Sequence, residues 1–181
     1  GGRLPTNPTS RIAFVNNLFV EVGHDPITGG EGREMQLLGD LVDVTVLNNS
    51  FTVDRGRAQH AVSLDGGGAT RTIIANNIFP ASTYGVYGSS KGTGSVALNF
   101  YAPGSIFSGN VMPNQSAGLY PANNWFPLAG IQGILLDMTV GETCAAATLW
   151  AQLLGLPPTI GADCASVSAL LKDVRSEVPP E

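Results

Sequence analysis

Charge is what this chain has least of. Only 13% of its 181 residues are Asp, Glu, Lys or Arg, and just two of them are lysines. Soluble domains ordinarily carry about a quarter. Helical bundles and coiled coils are dense in Glu, Lys, Ala and Leu, so that architecture is excluded. No run of Lys or Arg occurs, and the formal net charge is −5. Nucleic acid needs a cationic footprint, so it is excluded as a partner. An anionic polysaccharide would be repelled on average, unless a bound cation or a local Arg cluster intervened.

Cysteine and histidine are scarce too, at two each. Cys144 and Cys164 come without a Cys-x-x-Cys motif or a His cluster, which argues against a zinc site. Two readings of the pair stay open. One is a disulfide stapling the C-terminal region, with an oxidising compartment implied. The other is two small buried apolar side chains. No stretch of 18 apolar residues occurs, so no membrane span is expected. No signal peptide is visible, and the sequence opens Gly-Gly without Met, as a processed or trimmed chain would.

What is present is apolar and turn-rich: 43% hydrophobic residues, 23 glycines and 12 prolines. Disordered chains have few apolar residues, so disorder is excluded and a core is affordable in length and content. The mixture points to β-structure with many tight turns.

The most informative feature is a recurring phrase. It reads Ile12-Ala-Phe-Val-Asn-Asn-Leu-Phe19, Val44-Thr-Val-Leu-Asn-Asn-Ser-Phe51 and Thr72-Ile-Ile-Ala-Asn-Asn-Ile-Phe79. A degraded copy is Ser105-Ile-Phe-Ser-Gly-Asn-Val-Met112, and a fragment is Asn123-Asn-Trp-Phe126. Aligned on Asn17, Asn49, Asn77 and Asn110, the copies are spaced 32, 28 and 33 apart. Periods of 20–50 residues mark stacked architectures. The β-branched run before each Asn pair favours a strand, and Asn suits a left-handed corner. Asn17, Asn49, Asn77 and Asn110 are therefore expected to stack as a structural ladder, each amide bonding the next.

A second short strand recurs between the phrases: Met35–Gly39, Ala61–Asp65, Gly85–Gly88 and Gly118–Tyr120. No ten-residue amphipathic helix fits between these segments. The expected fold is all-β: a right-handed parallel β-helix of about four rungs with three short strands per rung. Residues 1–126 would form the rungs, and residues 127–181 a partly helical C-terminal cap. Within that cap, Thr143–Leu154 and Ser166–Val178 have helical patterns.

The repeated Val-x-x-Asn-Asn-x-Phe phrase resembles the right-handed parallel β-helix proteins of the pectate-lyase-like superfamily. Asn76–Gly88, Tyr101–Asn110 and Tyr120–Phe126 are similar to the last rungs of bacterial β-helix repeat proteins, and Gly161-Ala-Asp163 to the end of those chains. The resemblance covers residues 11–126 well and 127–181 loosely. It implies that any chemistry lies on one strand face and its loops. Lyases of that superfamily use calcium held by carboxylates and a basic residue that removes a proton. Its hydrolases use clustered aspartates. The hydrolase phrases Asn-Thr-Asp, Asp-Asp, His-Gly and Arg-Ile-Lys are absent here.

Candidate site residues are few. Asp40 and Asp65 follow the second recurring strand in adjacent rungs and could hold Ca²⁺. Arg57 and His60, just before that strand, are the candidate catalytic groups. As a bland alternative, Asp40 and Asp65 simply open turns and the arginines are solvated. Tyr87, Tyr101, Tyr120 and Trp125, with Tyr84, could form an aromatic strip for sugar stacking, or pack as core and corners. Glu31, Arg33 and Glu34 read as a solvated loop. The expected function is a non-catalytic structural or carbohydrate-binding module, the C-terminal part of a longer secreted or cell-envelope protein. Its partners would be a polysaccharide or upstream rungs of its own chain. The alternative is a Ca²⁺-dependent polysaccharide lyase.

Overall fold

The computed structural model describes residues 7–20, 22, 30–53, 58–128, 152, 155, 157 and 159–166. The Asn pairs set the local geometry. Asn16, Asn48, Asn76 and Asn123 take left-handed backbone angles with φ between 54° and 63°. The degraded copy puts Gly109 at the same place, with φ 69°. A β-branched residue there would bring Cβ against its own carbonyl, so Asn or Gly ends each strand at this corner.

The strands that flank the corners are β1 (Thr9–Val15), β2 (Leu18–Val20), β3 (Arg33–Leu38), β4 (Leu41–Leu47), β5 (Ser50–Thr52), β6 (His60–Asp65), β7 (Ala69–Ala75), β8 (Val86–Gly88), β9 (Gly92–Thr93) and β10 (Ile106–Ser108). Helix α1 (Ser95–Tyr101) and a 3-10 turn, Ala117–Leu119, accompany them among the described residues, and residues 164–166 are also helical. The strands form three sheets, ordered β1-β4-β7-β10, β2-β5 and β3-β6-β8-β9. Equivalent strands pair in parallel at the repeat spacing. Ile12 lies opposite Val44 and Val44 opposite Thr72, for example.

The β-helix expectation is overturned here. The sheets are parallel and mixed, and none is closed. Three strands per repeat persist for only two repeats. The third repeat has an isolated bridge at Ile78 in place of the corner strand. The segment expected as a fourth inner strand, Gly118–Tyr120, overlaps the 3-10 turn. After β8 the chain reverses, and β9 runs antiparallel to it. Helix α1 then follows. Gly88 permits this, because a Cβ there would sit 2.9 Å from both Ala97 Cβ and a Tyr101 ring carbon.

Between the sheets lies one apolar core. Val44, Val46, Phe51, Ala61, Val62, Ile74, Phe79 and Val86 are all fully buried. Phe19, Phe51 and Phe79 stack face to face, with centroids 4.4 and 5.0 Å apart. Such pairs add roughly 0.5–1.5 kcal/mol beyond area burial.

Of the expected cap, few residues are described, and the helical patterns over 143–154 and 167–178 fall almost wholly outside them. The described part lies along the flank of the corners. Gly161 donates its N–H to Asn76 O at 2.9 Å, and Ala162 donates to Ser50 Oγ at 2.9 Å. Asp163 donates to Asn16 Oδ1 at 2.5 Å. Ile160 closes over Ile78 and Val111, with Trp125 against the same cluster. Cys164 is disulfide-bonded. The chain has one other cysteine, Cys144, outside the described residues.

Candidate functional site

The outer surface of the β3-β6-β8-β9 sheet collects the chemistry-bearing side chains. Strand β6 begins with two irregular pairings. Gly32 O accepts N–H groups from both Gln59 (2.7 Å) and His60 (3.1 Å). One strand on, Gly85 O accepts from both Ala61 (2.8 Å) and Val62 (3.2 Å). Two donors on one carbonyl interrupt the regular alternation of side chains. The His60 ring is consequently stacked on Tyr87, with centroids 4.5 Å apart and planes 4° from parallel. Tyr84 completes the cluster, 5.5 Å from His60 and 5.7 Å from Tyr87.

His60 is 4% exposed, and its Nδ1 has no hydrogen-bond partner. Burial pushes its pKa below the usual imidazole range, the Arg33 guanidinium pushes the same way, and Glu31 opposes them. The ring is neutral at pH 7, with an unused polar nitrogen. Arg33 pairs in register with His60 and forms an ion pair with Glu31. Tyr84 is 43% exposed and Tyr87 half-buried, so the two phenols carry the surface of the cluster.

The expected solvated loop at 31–34 is a second correction. Arg33 opens β3, and Glu34 is 7% exposed with both carboxyl oxygens buried and unpartnered. Burial raises its pKa to about 9, so the carboxyl is protonated at neutral pH. The repeat spacing could have revealed this, because residues 33–38 align with 60–65 as the same strand.

The remaining candidates are distributed differently. Asp65 accepts the Gly66 N–H at 2.7 Å, closing its own turn. The Asp40 carboxylate lies over the next residue of that turn, where a Cβ on Gly67 would meet Oδ1 at 1.5 Å. Both carboxylates are exposed at one turn. His60 lies at the opposite end of β6, roughly 16 Å away by strand rise. His60 therefore lies apart from the turn that holds Asp40 and Asp65, and Arg57, the other candidate catalytic group, lies outside the described residues. No group of three His, Cys, Asp or Glu side chains able to hold a metal occurs among the described residues.

Of the aromatic strip, Tyr84 is exposed and Tyr87 and Trp125 are half-buried. Tyr101 is buried and donates its hydroxyl to Ser89 O at 2.5 Å. Tyr120 is buried, accepting the Val86 N–H and donating to Gln115 Oε1, both at 3.2 Å. Trp125 is half-buried and bridges to Val111.

The second Asn of each pair builds a ladder along the corners. Asn49 Oδ1 accepts the backbone and side-chain N–H groups of Asn17 at 2.9 and 3.0 Å. Asn77, Asn110 and Asn124 repeat this for the Asn before them. Each of these amides also reaches back to a carbonyl of the preceding repeat: Phe14, Val46, Ile74 and Phe107 in turn.

No family model matches the chain, and no curated protein or solved structure matches it. The functional reading rests on the site geometry.

Proposed function

We propose that the protein is a non-catalytic carbohydrate-binding module and that the outer face of the β3-β6-β8-β9 sheet is its binding face. The observation that carries this reading is the Tyr84–His60–Tyr87 cluster. Two accessible phenols, Tyr87 on β8 and Tyr84 in the bend before it, present flat apolar rings, and sugar rings stack on such faces through their C–H groups. Arg33 and the exposed Gln36 beside them supply hydrogen-bond donors for sugar hydroxyls. His60 backs the tyrosines and holds them in position. The wide separation of His60 from Asp40 and Asp65 supports binding over a proton-abstraction chemistry that would need them together. The disulfide at Cys164 fits a secreted or envelope location, where oxidising conditions preserve it.

The test is affinity electrophoresis and a glycan array with the full chain, its Tyr84→Ala variant and its Tyr87→Ala variant. The expected result is retention by at least one polysaccharide, with each variant weakened roughly tenfold and its unfolding transition close to that of the parent. Absence of retention, or retention that both variants keep in full, overturns the reading.

A further inference from the structure

Among the described residues the Asn ladder runs from Asn17 to Asn124, and its Asn17 end lies beside open sheet edges. Asn49, Asn77, Asn110 and Asn124 each accept two N–H groups on Oδ1 from the Asn before them. Among the described residues, none donates to Asn17 Oδ1. Each later amide nitrogen also donates to a carbonyl of the preceding repeat, whereas among the described residues Asn17 Nδ2 has Asn49 Oδ1 as its one acceptor. The strands around Asn17 are equally unfinished. β1, β2 and β3 are each the terminal strand of their sheet, paired on one side alone among the described strands.

Burial tells the same story in apolar terms. Val44 and Val46 are fully buried, whereas Ile12 and Phe14, their register partners in β1, are only half-buried. Phe51 has a ring on both faces, and among the described residues Phe19 has one on a single face. Val15 and Val20 are 47% and 40% exposed. Unpaired edges with apolar side chains are templates for another strand.

We propose that this end of the molecule is a docking surface for an extended polypeptide segment of specified chemistry: a strand ending in Asn-Asn-x-Phe. The occupant lies parallel to β1 and β2. Its second Asn donates both its backbone N–H and its Nδ2–H to Asn17 Oδ1. Asn17 Nδ2 donates in return to the occupant's carbonyl three residues before that Asn. Its Phe stacks on the open face of Phe19. Each contact is one that the interior repeats already make, so the surface is preorganised for it. The proposal does not depend on carbohydrate binding.

The probe is a synthetic peptide of residues 41–53, which carries the phrase, titrated into the full-length chain with amide hydrogen exchange as the readout. Binding should protect amides of β1 and β2. Peptides carrying Asn49→Ala or Phe51→Ala should bind roughly tenfold more weakly, since each removes one defining contact. The substitutions are in the peptide, so folding of the protein is not in question. Equal binding by the substituted peptides overturns the proposal, as does no binding at millimolar peptide or protection confined to β9 and β10. So does a self-associated form that protects β1 and β2 and resists displacement by the peptide, because the occupant would then be a second copy of this chain.

Discussion

Asn77 Oδ1 accepts two hydrogen bonds from Asn49, one from the backbone N–H and one from Nδ2, both at 3.0 Å. Both residues are completely buried. One side-chain oxygen thereby satisfies the corner backbone of the repeat before it. Asn77→Ala leaves the Asn49 N–H groups without this acceptor and removes a donor to Val46 O. The expected loss is about 1–3 kcal/mol, read from urea unfolding. Asn17→Ala, at the exposed end of the ladder, should cost less. Equal losses at the two positions would show that burial does not set the value of these bonds.

The first Asn of each pair has a different task. Asn76 has φ 54° and directs the chain around the corner. Asn76→Gly should be near neutral, within about 1 kcal/mol, as glycine adopts this geometry freely. Asn76→Val should lose more than about 1 kcal/mol, because a β-branched residue is strained there. Thermal unfolding of the two variants side by side checks the sign.

Glu34 and His60, both buried, act on opposite sides of neutrality. Glu34 keeps its proton in the folded chain up to about pH 9. The unfolded chain releases that proton near pH 4.3. Its contribution to stability is thus full below that value and lost as pH rises toward 9. Glu34→Gln should remove this slope and stabilise the protein at pH 8 by more than about 1 kcal/mol. His60 has a lowered pKa when folded. Its contribution is full above the unfolded value near 6.5 and lost as pH falls below it. Denaturant midpoints of the parent and of Glu34→Gln between pH 5 and 9 test both slopes. A parallel pair of curves contradicts the assignment to Glu34.

The flanking segment at residues 160–163 depends on a close approach. Gly161 has φ +83°, and a Cβ there would sit 2.6 Å from Ile78 Cδ1 and 2.7 Å from Ser50 Oγ. Gly161→Val should lift the segment off the corner and uncover Ile78, Val111 and Trp125. The expected readouts are a red shift of tryptophan emission and a stability loss above about 1 kcal/mol. Unchanged emission and an unchanged midpoint would show that the contact with Ile78 carries no weight.

The repeat is legible without coordinates because it is a local property. Strand, left-handed corner and buried ring recur in one short phrase, and each is dictated by the backbone preferences of its own residues. Hence Asn16, Asn48 and Asn76 share one conformation, and Phe19, Phe51 and Phe79 share one stack. The site is not local in this sense. Tyr87 was legible as a candidate, but its partner His60 comes from another strand, and Arg33 from a third. Tyr101 and Tyr120 are the same residue type with buried roles, and no nearby residue in the sequence marks the difference.

By itself, then, the sequence determined the period of the chain, the conformation of its corners and the residues that stack between repeats. Those follow from φ preferences and from side-chain shape, which act over a few residues. The tertiary structure alone decided that the sheets stay open, that β9 reverses against β8, and that α1 takes the next place. It also decided that Glu34 is buried and His60 lies against Tyr87. These depend on which surfaces lose water when distant segments meet, and free energies of desolvation belong to the assembled chain rather than to any phrase within it.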